Sequence, residues 1–297
     1  MDTKLAQPGI LAPLPALRRS LTFALRPGIE PATALRRFAA EFIPDWGVVG
    51  CGEALVLALG RRLDGLRTFP ALAGPGIVVP STQGGLWVAL AADDRGMLFE
   101  RGRHICAGLA EAFTLVEAVD AFRYAGGRDL SGYQDGTENP EGENAVAAAL
   151  VAAGPGRAGS SFVAVQRWRH DLDRFGEFPQ ERRDAIIGRR LDSNEEIDDA
   201  PPSAHVKRTA QESFAPPAFV VRRSLPWDDG FARGLEFVAY GNSLDHFEAQ
   251  LRRMAGLDDG IADALFAFSR PVSGGYYWCP PLAAGRLDLR LLGLPAA

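Results

Sequence analysis

Apolar positions at alternating and at three-to-four spacing divide the chain into short strands and short helices. Leu21, Phe23 and Leu25 alternate across residues 20–25, the period of a strand with one buried face. Pro31 then opens a helical stretch carrying Ala32, Leu35, Phe38, Ala39 and Phe42. Residues 46–60, rich in Val and Leu and broken by Gly50 and Gly52, read as strand. Within residues 84–92, Leu86 to Leu90 is a continuous apolar run that suits a buried strand. Ile105, Leu109 and Phe113 predict a helix over 104–116. Residues 125–144 are dense in Gly, Asp, Asn and Glu, and read as loop.

After that loop the pattern restarts. Residues 161–168 alternate as a strand, 180–190 fit a helix, and 192–203 form an acidic loop closed by Pro201-Pro202. Strands are expected at 218–225 and 234–240. A helix over 245–255 points Phe247, Leu251 and Met254 inward and ends at Gly256. A helix over 260–268 and a strand over 275–279 complete the chain. Two passes of strand, helix, strands, helix and strand predict an α+β fold of two ferredoxin-like halves, with antiparallel sheets and peripheral helices. The halves are placed at 1–145 and 146–297; a single larger α+β domain is the alternative.

Composition narrows the function. The 297 residues are 47% hydrophobic and 23% charged, enough apolar material for a sizeable core. Thirty-two basic against 37 acidic residues give −5, which argues against a nucleic-acid partner. Only Lys4 and Lys207 are lysines. Cys51, Cys106 and Cys279 form no CxxC, and His104, His170, His205 and His246 do not pair at metal-binding spacing. A metal held by one histidine stays open. Residues 1–17 hold three prolines, Asp2 and a broken apolar pattern, unlike a secretory signal. No run of 18 apolar residues occurs. A cytoplasmic protein without a membrane span is expected.

Four stretches are chemically unusual. In Gly132-Tyr133-Gln134-Asp135-Gly136-Thr137, glycines bracket a carboxylate, either as a plain Asp-Gly turn or as a loop admitting a flat ligand. In the strand around 218–225, Arg222 and Ser224 share one face with Val220, while Arg223 points the other way. Asp263 is the only polar side chain in an otherwise apolar helix at 261–268, so it caps an end, reaches solvent, or orients a histidine or arginine. His205, in Ala204-His205-Val206-Lys207, says little alone.

Together these residues resemble the dye-decolorizing peroxidase family, in its B-type (P-type) bacterial branch. Gly132-x-x-Asp135-Gly136 fits the GxxDG signature within the run Arg128 to Pro140. Val165-Gln166-Arg167-Trp168, Ile187-Gly188-Arg189, Asn194-Glu195-Glu196-Ile197-Asp198, Arg222-Arg223-Ser224-Leu225-Pro226 and Gly274-Gly275-Tyr276-Tyr277 follow in order. The resemblance is dense over 128–280 and thinner before it.

It implies a peroxidase with b-type haem (heme b), reducing hydrogen peroxide and oxidising dyes, phenols or other organic donors. His205 is then the iron ligand and Asp263 its hydrogen-bond partner. Asp135 and Arg222 form the catalytic distal pair. Gly136, Thr137, Arg189 (as a propionate contact) and Ser224, which stands where many relatives carry Asn, complete the cofactor pocket. One imidazole suffices for haem. A carboxylate can shuttle the peroxide proton, and arginine can stabilise departing charge. A cation close to Asp135 lowers its pKa, so activity is expected at acidic pH. Tyr133, Trp227 and Tyr240 are either electron stations or core aromatics. A homo-oligomer is implied, and the tail 285–297 is a final strand or helix, or a segment addressed to an encapsulin shell. The competing readings are a haem-handling protein and a ferredoxin-like scaffold without haem.

Overall fold

The computed structural model describes residues 2–294. The first half runs β1 (Leu17–Leu25), α1 (Ala32–Glu41), β2 (Gly47–Cys51), α2 (Glu53–Ala58), the small hairpin β3 (Leu72–Gly74) and β4 (Ile77–Val79), β5 (Leu86–Ala92), α3 (Arg95–Leu109) and β6 (Phe113–Phe122). A loop and α4 (Gly142–Ala149) lead to the second half. It comprises β7 (Ser161–His170), α5 (Leu172–Glu177), α6 (Gln180–Ile187), α7 (His205–Thr209), β8 (Val221–Arg222), β9 (Leu225–Asp228), β10 (Arg233–Gly241), α8 (Leu244–Met254), β11 (Ser269–Pro271) and β12 (Gly275–Cys279). A last hairpin, β13 (Leu282–Ala283) with β14 (Arg286–Leu287), follows. The expected junction at 145/146 falls inside α4.

Each half lays its strands in the same antiparallel order. The first reads β2-β5-β1-β6 and the second β9-β10-β7-β12, which is the ferredoxin-like order in both cases. Two seams, Cys51 with Trp278 and Ala121 with Trp227, join them, and the β7–β10 pairing closes the ring into a barrel. A buried ion pair at 2.8 Å, Arg18 on β1 with Glu236 on β10, crosses between the halves. Inside the ring, Val48, Trp87, Val163, Val238 and Tyr277 pack together, with Trp87 and Tyr277 stacked at 6.0 Å. The alternate residues, such as Val49, Val88, Ala164 and Tyr276, pack under α1, α2, α3 and α8.

Four expectations about elements are corrected. Residues 46–60 are not one strand: β2 stops at Cys51 and α2 follows. Gly52 caps α2, and a side chain there would strike the carbonyl of Gly84 at 2.2 Å. The helix expected at 104–116 lies at 95–109, started by Asp94, whose carboxylate accepts from the Met97 N–H at 2.9 Å. Phe113 instead opens β6, and its apolar neighbours pair with β1. The helix expected at 260–268 is only a 3-10 turn, Ala264–Ala267, which Asp263 caps with one carboxylate oxygen while the other meets His205. The strand expected at 218–225 is broken at Arg223-Ser224 into β8 and β9.

No helix among the described residues is long and apolar enough to cross a membrane. Leu287, Leu289, Leu292 and Leu294 of the tail are buried in the core, and residues 295–297 of that segment lie outside the described residues.

Candidate functional site

α7 begins at His205, directly after the Pro201-Pro202 loop. The helix is tied down by Arg208, which is buried and donates to both Asp259 oxygens at 2.7 Å and to the Arg253 carbonyl at 2.7 Å. That pairing pulls the exposed Asp259 carboxyl down to about 2. The His205 ring is thereby fixed against Asp263: Nδ1 lies 2.8 Å from Oδ2 of a carboxylate with no solvent exposure. The second Asp263 oxygen accepts from the Leu265 N–H at 2.8 Å. An ionised carboxylate can only accept, so Nδ1 carries the proton and Nε2 keeps a free lone pair. Nε2 has no hydrogen bond among the described residues, and the ring lines a cavity.

The cavity is partly open, and about 830 Å³ free of protein atoms, solvent at its mouth included, lies over these residues. Ile187, Phe237, Phe247, Leu251, Met254 and Leu265 supply apolar walls. Polar groups reach it from several elements. Asp135 projects from the loop between β6 and α4, Arg222 from β8, and Gln166 and His170 from β7. Gln166, Trp168 and His170 are alternate residues of one strand and all line the cavity.

Asn139 joins the loop to β8. Its amide accepts from the Arg222 N–H at 2.8 Å and donates to the Arg222 carbonyl at 3.0 Å. Gly136, at φ +77°, makes the turn that allows this; a side chain there would meet the Asn139 amide at 2.9 Å. Asp135 and Arg222 therefore face one cavity from two elements locked to each other. Among the described residues no ion pair joins them, so the acid-activity expectation has no direct contact behind it.

Of the other residues expected here, Thr137 is exposed and its hydroxyl accepts from Asn194 at 3.1 Å, outside the cavity. Arg189 does not reach the cavity either: its guanidinium is held by Glu138 and, at 3.4 Å, by Glu196. Ser224 is buried against β10, its hydroxyl accepting from the Val238 N–H at 3.4 Å. Tyr133, Trp227 and Tyr240 are all buried; Tyr133 lines the cavity with its hydroxyl donating to Asp184. Burial, then the Asp184 contact, push the Tyr133 phenol well above its usual range.

A second histidine–carboxylate pair in the cavity wall escaped the sequence reading. His170 Nε2 lies 3.0 Å from Asp129 and Nδ1 lies 2.7 Å from the Ser269 hydroxyl. Burial raises the Asp129 carboxyl, but the His170 charge and hydrogen bonds from His170 and Ser131 outweigh it and hold the group below its usual value. The signal available was β7 alternation: Gln166, Trp168 and His170 share a face.

The site fits a planar, apolar cofactor with a metal at its centre. It offers one oriented imidazole with a free nitrogen and apolar walls. The buried Nε of Arg222 and amide nitrogen of Gln166, both on residues that line this region, have no partner among the described residues.

Comparison with known proteins agrees. The C-terminal model of Dyp-type peroxidases matches residues 126–284. A dye-decolorizing peroxidase of Mycolicibacterium paratuberculosis is 33% identical over 228 residues, covering 74% of this chain and 64% of that one. The chain thus spans slightly under two thirds of that relative. A dye-decolorizing peroxidase of Rhodococcus erythropolis is 31% identical over 291 residues, 91% of this chain and 85% of that one. A haem-bound variant of DypB from Rhodococcus jostii RHA1 superposes with a TM-score of 0.87 at 26% identity, over 97% of this chain and 98% of that one.

Proposed function

The chain belongs to the dye-decolorizing peroxidase family of haem enzymes, and on that premise we propose how its own residues divide the reaction. The observation that carries the proposal is the His205–Asp263 pair, which leaves Nε2 as a free ligand in the cavity that Asp135 and Arg222 also line. When bound, b-type haem supplies an iron that exchanges electrons with hydrogen peroxide and with organic donors.

His205 would hold the iron of the bound haem through Nε2. Asp263 keeps the proton on Nδ1 and makes the ligating nitrogen more basic. Asp135 takes one proton from incoming peroxide and returns it to the oxygen that leaves as water. Arg222, cationic at all relevant pH values, stabilises the negative charge on that oxygen. The apolar walls keep bulk water from the reacting oxygen atoms. Each peroxide takes two electrons and two protons to give two waters, so two one-electron donors such as phenols or dyes are consumed. A haem carrier would need His205 but not a proton shuttle paired with a fixed cation. Gly136 and Asp263 act indirectly, one through the Asn139 clamp and the other through His205.

We further read the chain as two functional halves divided at 145/146, with the haem ligand in the second, and as a cytoplasmic homo-oligomer. Sedimentation of the purified protein tests the oligomer. An encapsulin shell would have to take a tail in which Leu287, Leu289, Leu292 and Leu294 are buried; a pull-down with and without residues 285–297 tests it. The main test is peroxide-dependent oxidation of a phenol by the haem-loaded protein. Turnover that needs both haem and peroxide is expected, and its absence would overturn the proposal.

A further inference from the structure

On the outer side of the cavity wall, β7, β10 and β11 form a surface pocket that carries Arg169, Arg174, Arg233 and Arg270. Arg169 and Arg270 are register partners on adjacent strands, and both are exposed. Like charges placed opposite each other destabilise a sheet unless an anion sits between them. Arg233 leans on Asp228 at 3.6 Å, whereas Arg169, Arg174 and Arg270 form no ion pair among the described residues. The pocket holds two acids, and one of them, Asp171, is occupied in capping α5 through the Arg174 N–H at 3.0 Å. The pocket is therefore cationic.

Its rim carries an aromatic ring. Phe231 is 93% exposed, at the turn between β9 and β10. The turn is built rather than loose: one Asp229 oxygen accepts from the N–H groups of Phe231 at 3.0 Å and Ala232 at 2.8 Å. An aromatic ring on a braced turn beside paired guanidinium forks suits a ligand with a flat body and a planar anionic group.

The pocket and the cavity share a wall one side chain thick. His170 and Ser269 line both. Phe266 lines the pocket and packs at 5.5 Å on Trp168, which lines the cavity.

We propose that this pocket docks an aromatic carboxylate as electron donor, with its carboxylate on Arg169 and Arg270 and its ring against Phe231. The proposal rests on the peroxidase reading above. A phenolic carboxylate bound there gives one electron across the wall and its phenolic proton to water, leaving a phenoxyl radical. Two such donors match the two electrons taken by one peroxide.

The test uses 4-hydroxycinnamate and its neutral methyl ester, which share the ring and phenol and differ by one charge and one methyl group. Calorimetric titration of the haem-loaded protein without peroxide gives binding directly, and steady-state oxidation gives KM and kcat. The carboxylate is expected to bind at least tenfold more tightly than the ester. R169Q/R270Q should weaken carboxylate binding about tenfold or more and raise its KM at unchanged kcat, with the ester unaffected. F231A should weaken both probes. Equal affinity for the two probes, or unchanged carboxylate binding in R169Q/R270Q, overturns the docking proposal. Ester oxidation in that case leaves the peroxidase reading standing; failure of wild type to oxidise either probe with peroxide overturns that reading, while the calorimetry still judges the pocket.

Discussion

The imidazole of His205 and the carboxylate of Asp263 meet at 2.8 Å, with the carboxylate wholly shielded from solvent. This single contact sets the tautomer, the orientation and the basicity of the nitrogen left for iron. In Asp263→Asn the hydrogen bond can persist but the charge is gone. Haem affinity should fall about 10–100-fold, and the iron reduction potential should rise because the ligand donates less. Haem transfer to an acceptor protein and a redox titration measure the two effects. Unchanged values of both would remove Asp263 from the account.

The distal roles separate in a rapid-mixing experiment that follows the haem absorption after peroxide. Loss of a proton shuttle costs about 10²–10⁴ in rate, and loss of a preorganised charge about 10²–10³. At least one of Asp135→Ala and Arg222→Ala should slow the peroxide-induced change on this scale. Wild-type rates in both would show the distal assignment to be wrong.

Asn139 positions Arg222 through two backbone hydrogen bonds, and Gly136 leaves room for it. Asn139→Ala should lower the rate of the peroxide-induced change while leaving haem binding intact. Gly136→Ala should do the same and cost about 1 kcal/mol in stability, since it forces a side chain to positive φ. Equal falls in haem affinity and rate would instead point to general loosening of the pocket.

The Asp129–His170 pair predicts an acid limit to stability. Asp129 has a folded-state pKa below its unfolded value of 3.8. Its stabilisation is thus complete above pH 3.8 and is lost as the pH falls through the folded value. Asp129→Asn should be less stable than wild type by about 1–3 kcal/mol at neutral pH. That gap should close only below pH 3.8. Melting temperatures of both proteins between pH 7 and pH 2 check this; a constant gap down to pH 2 would contradict it.

Much of the fold was legible because its apolar periods are local. β1, α1, β5, β7, α6, α8 and β12 each carry a pattern that survives into the structure. The misreadings arose where tertiary contacts outweighed period. Phe113 extends the spacing of Ile105 and Leu109, yet pairing with β1 takes it into a strand. Residues 261–268 look like a buried helix, yet they form only a short turn that starts at Asp263, whose carboxylate caps it and also holds His205. His205, Asp135, Arg222 and Asp263 are proposed for the site through the resemblance, since neither spacing nor composition singles out one histidine among four. Arg189 followed the same route but is held by Glu138 and Glu196, acids that approach it only in three dimensions. His170 was passed over because its partners, Asp129 and Ser269, lie 41 and 99 residues away.

The central claim is that His205 holds haem in this cavity. Its most direct measurement is the absorption spectrum of the protein titrated with haemin, read before and after one equivalent of peroxide, for wild type and His205→Ala. Wild type should give a sharp Soret band that changes on peroxide addition. His205→Ala should lose the histidine-ligated band, with added imidazole restoring part of it. The same Soret band and the same response to peroxide in both proteins would contradict the account.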